Sequence, residues 1–151
     1  MLPDTETSLL SAQKTILRCV GSGGRVYFVS SRAHRFLAMH LAEDFVSCAV
    51  PAFYIASGLQ LFLRAGDVVI GIASMPNSAV VLKTLSSARE IDCVTIGFAS
   101  SEGYGLMKSL SDILFVAPTH TEFETEEWHL GVGHALCNLI GESTPFRASK
   151  T

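Results

Sequence analysis

Five short runs of β-branched and apolar residues, each followed by a stretch of helical length or a connector, constrain this chain more than any other feature. The runs cover residues 25–30, 52–56, 68–73, 93–98 and 112–116. Residues 5–20 are amphipathic, with Leu9, Leu10, Ile16, Leu17 and Val20 at helical spacing. A second helix is expected over 32–50, with Phe36, Leu37, His40, Leu41 and Phe45 on one face. Further helices are expected over 79–90, 103–110 and 122–140, and one or two helical turns over 58–65. The stops are the glycines of 21–24, Pro51 and Gly141, and Ser78 is placed to cap the helix from residue 79. Parallel strands need crossovers and helices supply them, so the alternation predicts an α/β fold. The expected architecture is a three-layer α/β/α sandwich around a mostly parallel sheet of about five strands. One domain covers 1–141 and a polar tail 142–151.

A chain of 151 residues can bury one sizeable core without staples. Hydrophobic residues make up 48% and charged residues 17%. That balance suggests faces buried against other subunits, although a parallel sheet covered on both sides raises apolar content too. Net charge is −3 and the basic residues are scattered, so no nucleic-acid partner is expected. No apolar run has the length of a bilayer span, and the acidic, polar start does not read as a signal peptide. Cys19, Cys48, Cys93 and Cys137 lie far apart with no CxxC pairing, which reads as free thiols in a reducing cytoplasm.

The stretch from Gly66 to Ser78, GDVVIGIASMPNS, resembles the G-D-V-L-I-G-I-S-T-S-G-N-S motif of the sugar-isomerase (SIS) domains, and Val81-Leu82-Lys83 through Ala88-Arg89-Glu90 resembles the helix that follows it. Residues 111–118, SDILFVAP, resemble the family's A-D-I-…-V-P element. Two more segments are similar to the phosphoheptose isomerases. Residues 38–45, AMHLAEDF, match A-M-H-F-A-E-E-L, and residues 126–140 match Q-E-x-H-x-x-x-x-H-x-L-x-x-L-I. The resemblance implies an SIS-type, flavodoxin-like sheet, a sugar-phosphate ligand, a homo-oligomer (dimer or tetramer) with sites between subunits, and zinc or another divalent cation.

Carried over position by position, the resemblance makes Asp44 and His134 the acid/base pair and His40, Asp44, Glu126 and His134 the metal ligands. Asp44 is one methylene shorter than the family's glutamate. Helical geometry agrees with the ligand set in angle, since residues four apart lie about 40° apart around the axis and residues eight apart about 80°. Read alone, each histidine is more often a packing residue. His129, about 140° from His134, is assigned to packing or an interface together with Trp128.

The implied phosphate contacts are Ser30, Ser31, Arg32 and His34 in the first loop and Ser74, Asn77 and Ser78 in the second. Both loops depart from the pattern. The first reads SSRAH where the family has G-N-G-G-S, so side chains of Arg32 or His34 would have to replace backbone N–H groups in holding an anion. The second has lost two hydroxyls, at Ala73 and Met75, and carries Pro76 for a glycine. The chain between the second helix and Gly66 is also shorter than in phosphoheptose isomerases. Two functions follow: a ketose–aldose isomerase acting on a phosphosugar, or a non-catalytic SIS module that senses a sugar phosphate or binds another protein.

Overall fold

A computed structural model describes residues 4–75, 78–102 and 104–143. Asn77 and most of the expected tail lie outside the described residues. The elements run α1 (Thr5–Gly21), β1 (Val26–Ser30), a 3-10 turn (Arg32–His34), α2 (Arg35–Ser47), β2 (Ala52–Tyr54), a second 3-10 turn (Leu59–Leu61), β3 (Val68–Ile72), α3 (Ala79–Glu90), β4 (Val94–Ser100), α4 (Tyr104–Leu110), β5 (Ile113–Ala117) and α5 (Glu122–Glu142). The five strands form one sheet in the order β2-β1-β3-β4-β5, with every pairing parallel. The expected α/β sandwich is what forms.

Both faces of the sheet are covered, which is why the strands read as continuous apolar runs. Val26 and Phe28 of β1, Ile70 of β3 and Phe115 of β5 pack with α1, α2 and α5 in one layer. Tyr27 and Val29, Val69 and Leu114 pack with α3 and α4 in the other. Alternate residues of each strand thus enter alternate layers.

The second helix departs from its expected limits at both ends. It starts at Arg35, because Ser31 is extended and residues 32–34 form a separate 3-10 turn. It stops at Ser47, ahead of Pro51. Val50 N–H bonds Phe45 O and Ala49 N–H bonds Val46 O, with Ala49 left-handed at φ 66°. This is the Schellman pattern. It ends α1 at Gly23 and α3 at Asp92 as well. The buried face of α2 is Leu37, Ala38, Leu41, Ala42 and Phe45. Phe36 precedes that track by one residue, about 100° around the axis, and is 69% exposed. Gly141 does not stop α5; it is buried in the last turn, and Ser143 is the cap. Ser78 holds the N-cap position of α3, but its hydroxyl makes no capping bond.

Candidate functional site

Helices α2 and α5 lie side by side on one face of the sheet, and their contact places three ligating groups together. His40 and Asp44 are one turn apart on α2, so they share a face. Their Nε2 and Oδ2 atoms are 3.0 Å apart. His134 comes from α5, with Nε2 at 3.1 Å from the same Asp44 oxygen and 3.2 Å from His40 Nε2. The helices reach this separation because Gly133 has no side chain. A methyl group built there would overlap Leu41 of α2, with Cδ1 at 2.7 Å and Cγ at 3.0 Å. Leu41 is itself fully buried, so the crossing point is fixed by packing.

The donor set suits a divalent cation. Two nitrogen or oxygen ligands on a tetrahedral zinc ion, each about 2 Å from it, stand roughly 3.3 Å apart. The three atoms here converge at nearly that spacing. Both imidazole Nε2 atoms lie against one carboxylate oxygen and within hydrogen-bond distance of each other, so three ligating atoms converge on one point. All three side chains keep substantial solvent access, at 51% for His40, 31% for Asp44 and 46% for His134.

Glu126 does not join this group among the described residues. It borders the neighbouring cleft of about 480 Å³ with Phe36, His40 and Phe123. Its angle on α5 permits a common face with His134, but eight residues of helix are also about 12 Å of rise. That axial distance separates it from His134, although it shares a cleft with His40.

The loops at the carboxyl edge of the sheet are arranged differently from the sequence expectation. His34 is 1% exposed, and its Nδ1 shares a 3.0 Å hydrogen bond with Ser31 Oγ. Ser30 is also buried, at the end of β1. Neither presents its side chain to a ligand from solvent. Ser31, Arg32 and Ser78 retain access. Ser74 is buried, and its hydroxyl donates to Glu122 Oε1 at 3.4 Å, while Ser100 Oγ donates to Ser74 O at 2.7 Å. A carboxylate thus occupies one of the donors that the resemblance assigns to phosphate.

Among the described residues, Ser74 of the second loop and the Asp44–His134 pair line separate pockets. Asp44 and His134 line a cleft of about 400 Å³ with Cys48 and Cys137. Ser74 and Glu122 line a separate recess of about 80 Å³. The reason is again axial. His134 follows Glu122 by three turns of α5, roughly 18 Å below the end that meets the sheet's carboxyl edge.

No family model matches the chain. A phosphoheptose isomerase from Paramagnetospirillum magneticum is 29% identical over 157 residues, covering 85% of this chain and 81% of the relative. The structure of a phosphoheptose isomerase from Neisseria gonorrhoeae superposes with a TM-score of 0.83 at 22% identity, over 91% of this chain and 86% of that one. The chain has the fold of the SIS domains and is similar in sequence to the phosphoheptose isomerases. The sugar isomerase domain of an RpiR transcription factor from Sphaerobacter thermophilus has the same fold, with a TM-score of 0.79 at 19% identity over 94% of this chain and 81% of that one.

Two residues that shape the candidate site escaped the sequence reading, Gly133 and Glu122. The glycine carries no periodic signal, and the glutamate looks like an ordinary first-turn acid of α5. His129, in contrast, is the packing residue that was expected. It is fully buried, its ring lies against Phe98, and Nε2 donates to Ala99 O at 2.9 Å. Burial is the main cause that pushes its pKa from the usual 6.5 down to about 4. The unfolded chain takes up this proton near pH 6.5, whereas the folded chain resists until about pH 4. Acid therefore favours unfolding across that window, and the dependence vanishes above it. The shift corresponds to about 3 kcal/mol. Urea unfolding between pH 7 and pH 4 should show this loss, and His129→Gln, which can still donate to Ala99 O, should have a correspondingly flatter profile. An unchanged acid slope in the variant would assign the loss to other groups.

Proposed function

We propose that this SIS domain binds a sugar phosphate and interconverts its ketose and aldose forms with the help of a divalent cation, zinc by donor chemistry. The convergence of His40, Asp44 and His134 carries this reading, because three ligating atoms within 3.2 Å of one another are more than helix packing requires. These three residues would hold the ion. A cation there supplies Lewis-acid polarisation of the sugar's carbonyl oxygen. Asp44 takes the proton from the carbon next to the carbonyl and returns it to the neighbouring carbon, through the carboxylate oxygen that does not face the imidazoles. Where no cation is bound, His134 can donate through Nε2–H to the oxygen on which charge develops, the part that a cation held there would otherwise take. Glu126 is assigned no metal bond within one chain.

The phosphate is assigned to Ser31, Arg32, Ser78 and the Asn77 segment. Ser31, Arg32 and Ser78 lie at a different level of the molecule from the acid/base group. We therefore assign the working site to an oligomer in which one copy supplies the loops and another the His–Asp–His group. Exposed apolar side chains beside that group, Phe36 and Phe123 at 69% and 81% exposure, support a covered face there. The free thiols fit a cytoplasmic setting, and among the described residues no helix is long and apolar enough to cross a membrane.

A second reading has its own support. The buried His34 and the Ser74–Glu122 contact both reduce the phosphate cradle, as in a module that senses a ligand without turning it over. Incubation with sedoheptulose 7-phosphate in deuterated water separates the two. An isomerase places deuterium on the carbon next to the carbonyl. Ligand binding without deuterium incorporation, at high protein concentration, would overturn the catalytic reading in favour of the sensing one.

A further inference from the structure

Two of the four thiols differ from the others in where they point. Cys19 and Cys93 are buried against backbone carbonyls, Arg25 O at 3.5 Å and Arg64 O at 3.3 Å, and burial is the main cause that pushes both pKa values to about 11. Cys48 and Cys137 instead line the cleft of about 400 Å³ that contains Asp44 and His134. Cys48 is half-buried at the C-cap of α2, and its thiol donates to Cys137 O at 3.4 Å. Burial is the main cause that pushes the Cys137 thiol up, and the neighbouring Cys48 pushes it the same way. The helix frame explains the pairing. Cys48 follows Asp44 by four residues and Cys137 follows His134 by three, so the two cysteines come side by side one turn beyond the groups that meet above them.

We propose that Cys48 and Cys137 form a dithiol modification site, which a hydroperoxide closes to a disulfide between α2 and α5. The more accessible Cys48 reacts first. Its thiolate sulfur attacks a peroxide oxygen, the O–O bond breaks, and one water leaves after protonation, giving a sulfenic acid. The Cys137 sulfur then attacks the Cys48 sulfur, the S–O bond breaks, and a second water leaves. In sum, two thiols and one hydrogen peroxide give one disulfide and two waters, with the sulfurs oxidised and the peroxide reduced. Backbone freedom favours the closure. Cys48 lies past the last regular residue of α2, and Ala49 is already left-handed, so the cap can adjust towards the short S–S distance without breaking an interior helical turn. The bond would clamp the two helices directly beneath Asp44 and His134.

The test is to treat the full chain with hydrogen peroxide, block remaining thiols under denaturing conditions, and map peptides without reduction. The expected result is a reductant-sensitive link between the Cys48 and Cys137 peptides, with Cys19 and Cys93 still blocked by the alkylating agent. The link should persist in Cys93→Ser and vanish in Cys48→Ser. Full alkylation of Cys48 and Cys137 after treatment would overturn the proposal. So would a Cys19–Cys93 link in its place, or conversion of Cys48 to a sulfinic acid with no link. The wild-type map decides even where a variant folds poorly, and neither the readout nor its failure depends on isomerase activity.

Discussion

Asp44→Asn should lower deuterium incorporation into sedoheptulose 7-phosphate by roughly 10²- to 10⁴-fold, the range lost with a positioned general base. Asparagine keeps the volume and can still accept from one imidazole, so the helix pair has no steric reason to rearrange. What it loses is the charge that holds two Nε2 atoms 3.2 Å apart and the basicity needed to carry a proton between carbons. The carboxylate is a third exposed, and ion pairs of that kind contribute about 0–1 kcal/mol, so the melting temperature should change little. A cation bound at this point adds a second readout. Zinc or another divalent ion retained by the wild-type chain should be lost from the variant, because a neutral amide is a poor replacement for a carboxylate ligand. Near wild-type exchange in Asp44→Asn would move the base elsewhere. Slow exchange with undiminished metal content would leave Asp44 its proton-carrying role and take away its ligand role.

The strands were legible in the sequence because each is buried on both faces, and continuous β-branched runs such as Val68–Ile72 have few other uses. Helix ends were less so. Sequence reading looked for glycine or proline as the stop, but α2 and α3 end in the Schellman pattern with Ala49 and Asp92 in the left-handed position. Nothing in an alanine announces that conformation. For the site, the resemblance pointed to His40, Asp44 and His134, angular spacing agreed with it, and the structure brings their ligating atoms together. Angle alone could not show that Glu126 stands apart from His134 within one chain, because a helical wheel discards rise. His34 was invisible in another way. A histidine in a polar loop gives no sign that the turn carrying it will fold inward and bury the ring.

Gly133→Val tests whether the site's geometry is set by packing at one point. The valine side chain would enter the space held by Leu41, which is fully buried and cannot swing into solvent. Overpacking of a tight core typically costs about 1–3 kcal/mol, and the upper part of that range is expected here because the obstacle is another helix's core side chain. Valine's better helix propensity recovers only a few tenths of a kcal/mol relative to glycine. The strain has one cheap outlet, which is separation of α2 from α5. That motion draws His40 and Asp44 away from His134, the residue next to the substitution. Gly133→Val should therefore lose divalent-metal affinity along with stability. Leu41→Ala alone should cost about 2–5 kcal/mol through its cavity. Combined with Gly133→Val, the cavity accepts the new methyl groups, so the double variant should be distinctly more stable than the sum of the two losses allows. Metal affinity should recover with it, since the helices can close again. Strict additivity in denaturant unfolding would mean that Gly133 and Leu41 do not oppose each other. Recovery of stability without recovery of metal affinity would mean that the spacing of α2 and α5 does not govern the His–Asp–His group.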